Sequence, residues 1–464
     1  MQAENSHTRW LWFILISGLI LRIGYAMAQP TVYLFYGGGG DSAFYLAHGW
    51  GFFSGQEHGW IRNKAFYLSA MPTPPFYILY AGIFQRFLPE HETILMMRLG
   101  QCVIGMATVW LAYRLGRVIT GGVRAALVAA AFAAFHPALI IEPANIATET
   151  FYIFFLTLGL WLYVEYAVHA DEAPSLHRLS PGLAIALSGL AFGLATLTRA
   201  VFVLFPLVIA VHMVMVGYRG RRGIWLGRSR RLLLVYVAVV STWTVYSLGM
   251  WGRFIIVSDQ VMPVLWRGAV SNDGSPAVND ALLSENVEAV RPEGCEADCK
   301  SYHHTTETYI QKIGESILGD LGGFFRLRFE ELTASILQPY GTTPLGNISI
   351  RDATGDWLRH DRTVDGFFRL TQIEGFAVKL LTWIFHYAAI ILGLAGMWLS
   401  RPSWRLTLPL IGFVGYTVLI HFFLLALPRY LFPIEVPLLI LAAAAVVKLS
   451  ESRQRPSPTG GERV

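Results

Sequence analysis

Trp10-Leu11-Trp12-Phe13-Ile14-Leu15-Ile16-Ser17-Gly18-Leu19-Ile20-Leu21-Arg22-Ile23-Gly24-Tyr25-Ala26-Met27-Ala28 is a predominantly apolar run with one charge. As a helix rising 1.5 Å per residue it crosses a hydrocarbon layer of about 30 Å. No small-residue cleavage pattern follows it, so the run is expected to stay as a span rather than leave as a secretory leader. Working outward, runs of spanning length recur at 94–118, 123–141, 147–168, 182–198, 200–217, 232–250, 376–399, 406–426 and 429–448. The expected fold is an all-α polytopic membrane protein of about ten transmembrane helices.

Composition agrees. Hydrophobic residues make up 54% of the 464 positions and charged residues 14%, where a soluble domain carries about 25% charged. The net charge of +5 comes largely from arginines beside the apolar runs, a pattern of membrane orientation rather than of nucleic-acid binding. Arg219, Arg221, Arg222, Arg228, Arg230 and Arg231 cluster after the sixth run. Such a cluster belongs on the cytoplasmic side. Arg114, Arg117 and Arg124 agree with that sidedness, as do Arg401 and Arg405. Both termini then lie inside, and 29–93 and 251–375 face outward. Four regions follow: an N-terminal membrane module over 1–250 that includes the first outer loop at 29–93, an outer-face segment over 251–375, C-terminal spans over 376–448, and a disordered tail over 449–464. The tail's Ser, Pro, Gly and charge content underlies that last expectation.

The first outer loop contains Gly37-Gly38-Gly39-Gly40-Asp41-Ser42-Ala43-Phe44-Tyr45. Its glycines keep the chain free of bulk ahead of a helix that opens at Asp41. Asp41 can serve as an N-cap or as a catalytic carboxylate. Pro72-Thr73-Pro74-Pro75 then sets the entry to a second helix from Phe76, because proline suits a first helical turn. Too short to span, that helix is expected at the outer interface, with a packed extramembrane hairpin as the alternative. In the second outer connection Asn145 can cap the fourth span, placing Glu149 in its first turn; Glu142 competes for any role given to Glu149. Glu315 to Gln338 reads as an amphipathic surface helix. Cys295 and Cys299 suit a local disulfide on an oxidising face; with His303 and His304 nearby, a zinc site is the alternative.

Ionisable groups inside or against spans are costly and usually functional. On the orientation above, Arg22, Arg98, Glu149, Arg199 and Arg429 share one depth with Asp41, Arg62 and Lys64. Arg22 and Arg98 can also be read as snorkelling to the headgroups. Arg199 and Arg429 cannot be dismissed so easily, since they flank the membrane on the face where basic charge is not expected. Arginines with carboxylates at this level suit group transfer from a lipid-linked phosphate, the arginines holding the phosphate and a carboxylate taking the proton from the attacking hydroxyl.

Several motifs occur in order: Asp41 with Tyr45 and Ala47, Pro74-Pro75-Phe76-Tyr77, Arg98-Leu99, and Tyr113-Arg114-Leu115-Gly116-Arg117. Thr148-Glu149, Gly193-Leu194-Ala195-Thr196-Leu197-Thr198-Arg199 and Arg429-Tyr430-Leu431-Phe432-Pro433 complete the set. The ordered set resembles the polytopic glycosyltransferases that use polyprenyl-phosphate sugars. The likeness is to the branch with protein O-mannosyltransferases, the lipid A aminoarabinose transferase and lipopolysaccharide-core sugar transferases. It implies that Asp41 is the catalytic base and Glu149 the second acidic position. It implies that Arg199 and Arg429 contact the donor phosphate, and that the two helices of the first outer loop form the family's juxtamembrane pair.

The chain departs from the pattern at Ser42, where many relatives have a second acid, and at Thr73, where some have lysine. Arg62 and Lys64 are candidate substitutes for the missing phosphate contact. Tyr45, Glu142 and Tyr430 are candidates for an acceptor or sugar pocket. The expected partners are a polyprenyl-phosphate-linked sugar as donor, with an envelope glycan or lipid as acceptor and a protein hydroxyl as the second choice. Neither a metal nor a separate cofactor is implied, and the expected transfer is inverting. The expected location is the cytoplasmic membrane, with the site facing the periplasm or cell exterior. A transporter or flippase of an anionic lipid is the rival reading. It fits less well because the charges gather at one end of the spans and the two halves of the chain are unlike.

Overall fold

The computed structural model describes residues 2–30, 41–54, 73–169, 179–217, 222–251, 254–258, 317–341 and 348–454, with short pieces at 264–265, 268, 310 and 313–315. Among the described residues every regular element is helical. The N-terminal half runs α1 (Gln2–Ala28), α2 (Asp41–Ser54), α3 (Pro75–Phe87), α4 (Glu90–Thr120), α5 (Val123–Phe135), α6 (Glu149–Tyr163), α7 (Pro181–Thr198), α8 (Phe205–Gly217) and α9 (Arg222–Trp251). The rest runs α10 (Leu321–Leu337), α11 (Ile350–Asp356), α12 (Val364–Thr371), α13 (Phe376–Leu399), α14 (Trp404–Phe423) and α15 (Glu435–Gln454). Arg62, Lys64, the four glycines at 37–40, and Cys295, Cys299, His303 and His304 lie outside the described residues.

Nine of the described helical segments are long and apolar enough to cross a membrane, and one further pair bends by 61° between Phe135 and Pro137. The pair starts just after the C-terminal end of α4, which closes at Gly121 with φ +68, a conformation natural to glycine. It ends at Ala144, whose carbonyl takes the Nε–H of Arg98 at 2.8 Å. From Arg98 to Thr120 is about 33 Å of helix, the thickness of the hydrocarbon. The chain is therefore a multi-pass membrane protein, with nine spanning helices among the described residues, or ten if the bent pair counts as one broken span.

The break has an identifiable cause and a repair. Pro137 lacks the N–H that Ala133 would need in a continuous helix. Arg22, 1% exposed, supplies donors instead: Nη2 to Ala133 O at 3.0 Å and Nη1 to Ala134 O at 2.8 Å. Arg98 similarly clamps the outer ends of two elements, giving Nη1 to Gln29 O at 3.1 Å besides its bond to Ala144. Neither arginine snorkels. Both satisfy backbone carbonyls that have no helical partner at those points.

The juxtamembrane helices α2 and α3 pack face to face through Gly49 and Gly82. A Cβ on Gly82 would lie 2.6 Å from Gly49 O and 2.3 Å from the Phe53 ring. The aromatic side of α3 buries Tyr77 and sets Phe76 against Phe151 and Phe155 of α6. The second helix of the first outer loop is thus covered by protein on one side rather than lying free on the interface. Similarly, α10 is not only a surface helix. Its inner face buries Phe324, Arg328, Leu332 and Ser335. Arg328 and Ser335 donate to Leu424 O and Ala426 O at 2.8 and 2.9 Å. At the C-terminus α15 continues to Gln454, six residues beyond the expected end of the last span. Its final turns carry Glu451, Ser452 and Arg453 past the apolar run, so helical structure extends into a stretch expected to be disordered.

Candidate active site

Four helix ends converge. Asp41 is the first residue of α2 and Glu149 the first of α6. Arg199 caps the C-terminus of α7 in extended backbone, and Arg429 sits in the single turn Pro428–Leu431 that precedes α15. Their order reflects helix-terminus electrostatics: acids lie where the helix dipole is positive, and Arg199 where α7 ends. Glu149 lies in the first turn as expected, but Asn145 does not cap the helix. The residue before the helix is Thr148, which makes no capping bond, while Asn145 Nδ2 donates to Glu142 Oε2 at 3.0 Å.

Glu149 is fully buried and organises both arginines. Arg199 Nη1 donates to its Oε1 at 2.5 Å. Arg429 grips the same carboxylate as a fork, Nε on Oε1 and Nη2 on Oε2, the latter at 3.2 Å. The third nitrogen of that guanidinium, Nη1, donates to Asp41 Oδ2. One planar cation therefore joins the two carboxylates, a geometry that a lysine point charge cannot reproduce. Asp41 keeps its side chain 58% exposed, whereas Glu149 has none of its side chain exposed. The first is open to a reactant and the second is not.

Aromatic groups line this cluster. The Arg199 guanidinium lies over the rings of Tyr430 and Tyr152, 5.3 and 5.8 Å from their centroids. Tyr430 stacks in turn on His421 at 5.4 Å. Tyr45, one turn beyond Asp41 on the same face of α2, packs edge-on against Tyr77 at 4.9 Å. Burial, with Asp41 and Glu149 adding, pushes the Tyr45 phenol up to about 12, so its hydroxyl remains a hydrogen-bond donor. Ser42 donates to Ile146 O at 3.0 Å and ties α2 to the turn ahead of α6.

Asp41, Glu149, Arg199, Arg429, Tyr45 and Tyr430 thus come together. Glu142 stands one step back, buried and bonded to Asn145 rather than to the arginines. Two aromatic members were not anticipated. Tyr152 follows Glu149 by three residues, and that helical spacing was its available signal. Tyr340 follows α10 in an irregular turn with no such signal. Its ring packs 4.9 Å from Phe432, and its phenol is raised well above the usual range by burial, reinforced by Glu142 and Glu149. Among the described residues no group of three or more His, Cys, Asp or Glu side chains is arranged to hold a metal ion.

Residues 53–253 match the family model of the dolichyl-phosphate-mannose-protein mannosyltransferases. No curated protein is matched. Among solved structures, the Archaeoglobus fulgidus oligosaccharyltransferase in complex with zinc and sulfate aligns over 95% of this chain and 49% of its own, at 15% identity and a TM-score of 0.51. The oligosaccharyltransferase AglB of that organism, in complex with an inhibitory peptide and a dolichol-phosphate, aligns over 98% of this chain and 52% of its own, at 13% identity and a TM-score of 0.48. The chain therefore spans about half the length of the solved structures it matches, and the likeness to them is one of fold. The resemblance drawn from the ordered motifs is borne out by the family model.

Proposed function

We propose that the chain is a membrane glycosyltransferase that moves a sugar from polyprenyl phosphate to a hydroxyl of an envelope acceptor, a lipopolysaccharide or another glycan. Its site would face the outside of the cytoplasmic membrane. The observation that carries this reading is the Arg429 guanidinium held between Asp41 and the buried Glu149, with Arg199 on the same carboxylate. The match to a family named for a lipid-phosphate sugar donor supports the choice of donor.

In the reaction the acceptor oxygen attacks the anomeric carbon as the bond to the polyprenyl phosphate oxygen breaks. Asp41 takes the acceptor proton. The leaving phosphate gathers negative charge and draws on Arg429 and Arg199, whose bonds strengthen as that charge develops. Glu149 neither donates nor accepts a proton. It holds the two cations at the depth where a lipid headgroup arrives. Because the leaving group is already an acidic phosphate, one base suffices, and attack opposite that group inverts the anomeric centre.

Asp41→Asn keeps the shape of the side chain and removes the base. In a purified assay with polyprenyl-phosphate sugar, transfer is expected to fall by at least about a hundredfold, the usual contribution of a positioned base, while donor affinity stays near wild type. Near-normal turnover by Asp41→Asn rejects the assignment. Movement of labelled lipid across vesicles with no covalent product supports the transporter reading instead.

A further inference from the structure

Behind Arg429 lies a second buried polar group that the reaction above does not use. We propose that His386 is a positioning residue for that reaction: through a proton shared with Glu435, it latches the corner bearing Arg429 to the outer-face helix that leads to Tyr340. The proposal rests on the function proposed above.

His386 lies on α13, with Nδ1 2.5 Å from Glu435 Oε1 and Nε2 2.8 Å from Ile336 O. Glu435, 4% exposed, is the first residue of α15 and follows the corner Pro428–Ile434 directly. Ile336 belongs to the last turn of α10, where carbonyls lack helical partners. Tyr387, the next residue on α13, donates to Leu337 O at 3.0 Å. Three residues beyond Leu337 is Tyr340, its ring against Phe432 of the same corner. One imidazole therefore joins the element behind Arg429 to the element that brings Tyr340 to the site.

The proton count follows from donor and acceptor chemistry. A backbone carbonyl only accepts, so Nε2 must carry hydrogen toward Ile336. The bond at Nδ1 then needs one more proton, on the imidazole facing a carboxylate or on the carboxyl facing a bare nitrogen. Without it a lone pair faces a carboxylate, and both acceptors are buried away from water. His136 faces Glu435 Oε2 at 3.6 Å, with Arg22 beyond it. Tyr340 lines the same small pocket as His386 and Glu435, along with Gln338 and Pro428. Among the described residues no other titratable side chain lines that pocket. The latch is closed while the pair keeps its extra proton and opens as pH rises enough to remove it.

Glu435→Gln tests this directly. Its amide N–H donates to Nδ1 while Nε2–H still donates to Ile336 O, so the latch closes with no extra proton. Wild-type kcat/KM for the donor is expected to fall on the alkaline side, and Glu435→Gln is expected to lack that fall. At neutral pH the variant should stay within about threefold of wild type, whereas His386→Leu should lose roughly tenfold there and show no further alkaline fall, as removal of a buried hydrogen-bond partner does. An alkaline fall unchanged in Glu435→Gln overturns the proposal. So does a wild-type profile with no alkaline fall, or a Glu435→Gln variant as impaired as His386→Leu. The thermal unfolding midpoint of the purified full chain, followed against pH, gives a readout independent of transfer. It should drop at alkaline pH in wild type and stay flat in Glu435→Gln. A chain that shows this shift but transfers no sugar fails the proposed function and not the latch.

Discussion

Asp41 and Glu149 share one partner, Arg429, yet their surroundings assign them different consequences. Glu149 is closed off and carries the charge balance of two guanidiniums. Replacing it with Gln leaves Arg199 without its carboxylate and Arg429 with Asp41 alone of its two, and breaking a buried ion group in this way costs about 3–5 kcal/mol. The exposed Asp41 contributes at most about 1 kcal/mol through its half of the bridge. Thermal unfolding in detergent should therefore show Glu149→Gln strongly destabilised and Asp41→Asn near wild type, although both lose transfer. Equal midpoints would mean that Glu149 does not hold the cluster together. These residues were legible in sequence because each sits at the end of an apolar run, where a charge has few other uses. Arg22 and Arg98 sit at similar ends, where sequence leaves open a site role and snorkelling to the headgroups. Their partners are backbone carbonyls freed by a helix break and by chain ends, which no side-chain pattern reveals. Tyr340 was invisible for a related reason: it reaches the site from an irregular turn, where periodicity says nothing.

At the scale of elements, the position of Asp41 depends on how closely α2 lies on α3. The two glycines at that crossing, Gly49 and Gly82, leave space for backbone against backbone. A methyl at position 82 would press on the Gly49 carbonyl, which cannot rotate away, and on the Phe53 ring, which can. Gly82→Ala should therefore push the helices apart at a cost of about 1–3 kcal/mol. It should also lower transfer by moving Asp41 relative to Arg429. Gly24→Ala, with nothing within 4 Å of the new methyl, is the matched control and should change neither. Transfer and unfolding measured on both variants check the argument, and a silent Gly82→Ala would refute the close crossing. The existence and order of these two helices could be read from Asp41 and the proline cluster. Their mutual contact could not, because glycine in a sequence signals a turn as readily as a crossing.

At the scale of the whole molecule, the outer face is tied to the membrane by more than its spans. On α12, Val364, Phe367 and Phe368 follow helical spacing and are 71%, 47% and 58% exposed. Asp361 and Arg369 pair away from that stripe, and Gly366 is buried against Trp357 and Asp361. Five residues later α13 enters the membrane, its first turns presenting Val378, Leu380, Leu381 and Ile384 outward. A stripe of this kind beside a span entry is expected in a leaflet's boundary layer, where each buried phenylalanine contributes about 1.5–3 kcal/mol. A nitroxide placed at Phe368→Cys in full-length protein in lipid nanodiscs should then be more accessible to oxygen than to a water-soluble nickel chelate. The reverse order would put the stripe in water, and protection from both would put a protein surface on it. The expected result fixes the plane of the outer leaflet at the level of α12, and with it the depth at which a lipid-borne phosphate would meet Arg199 and Arg429.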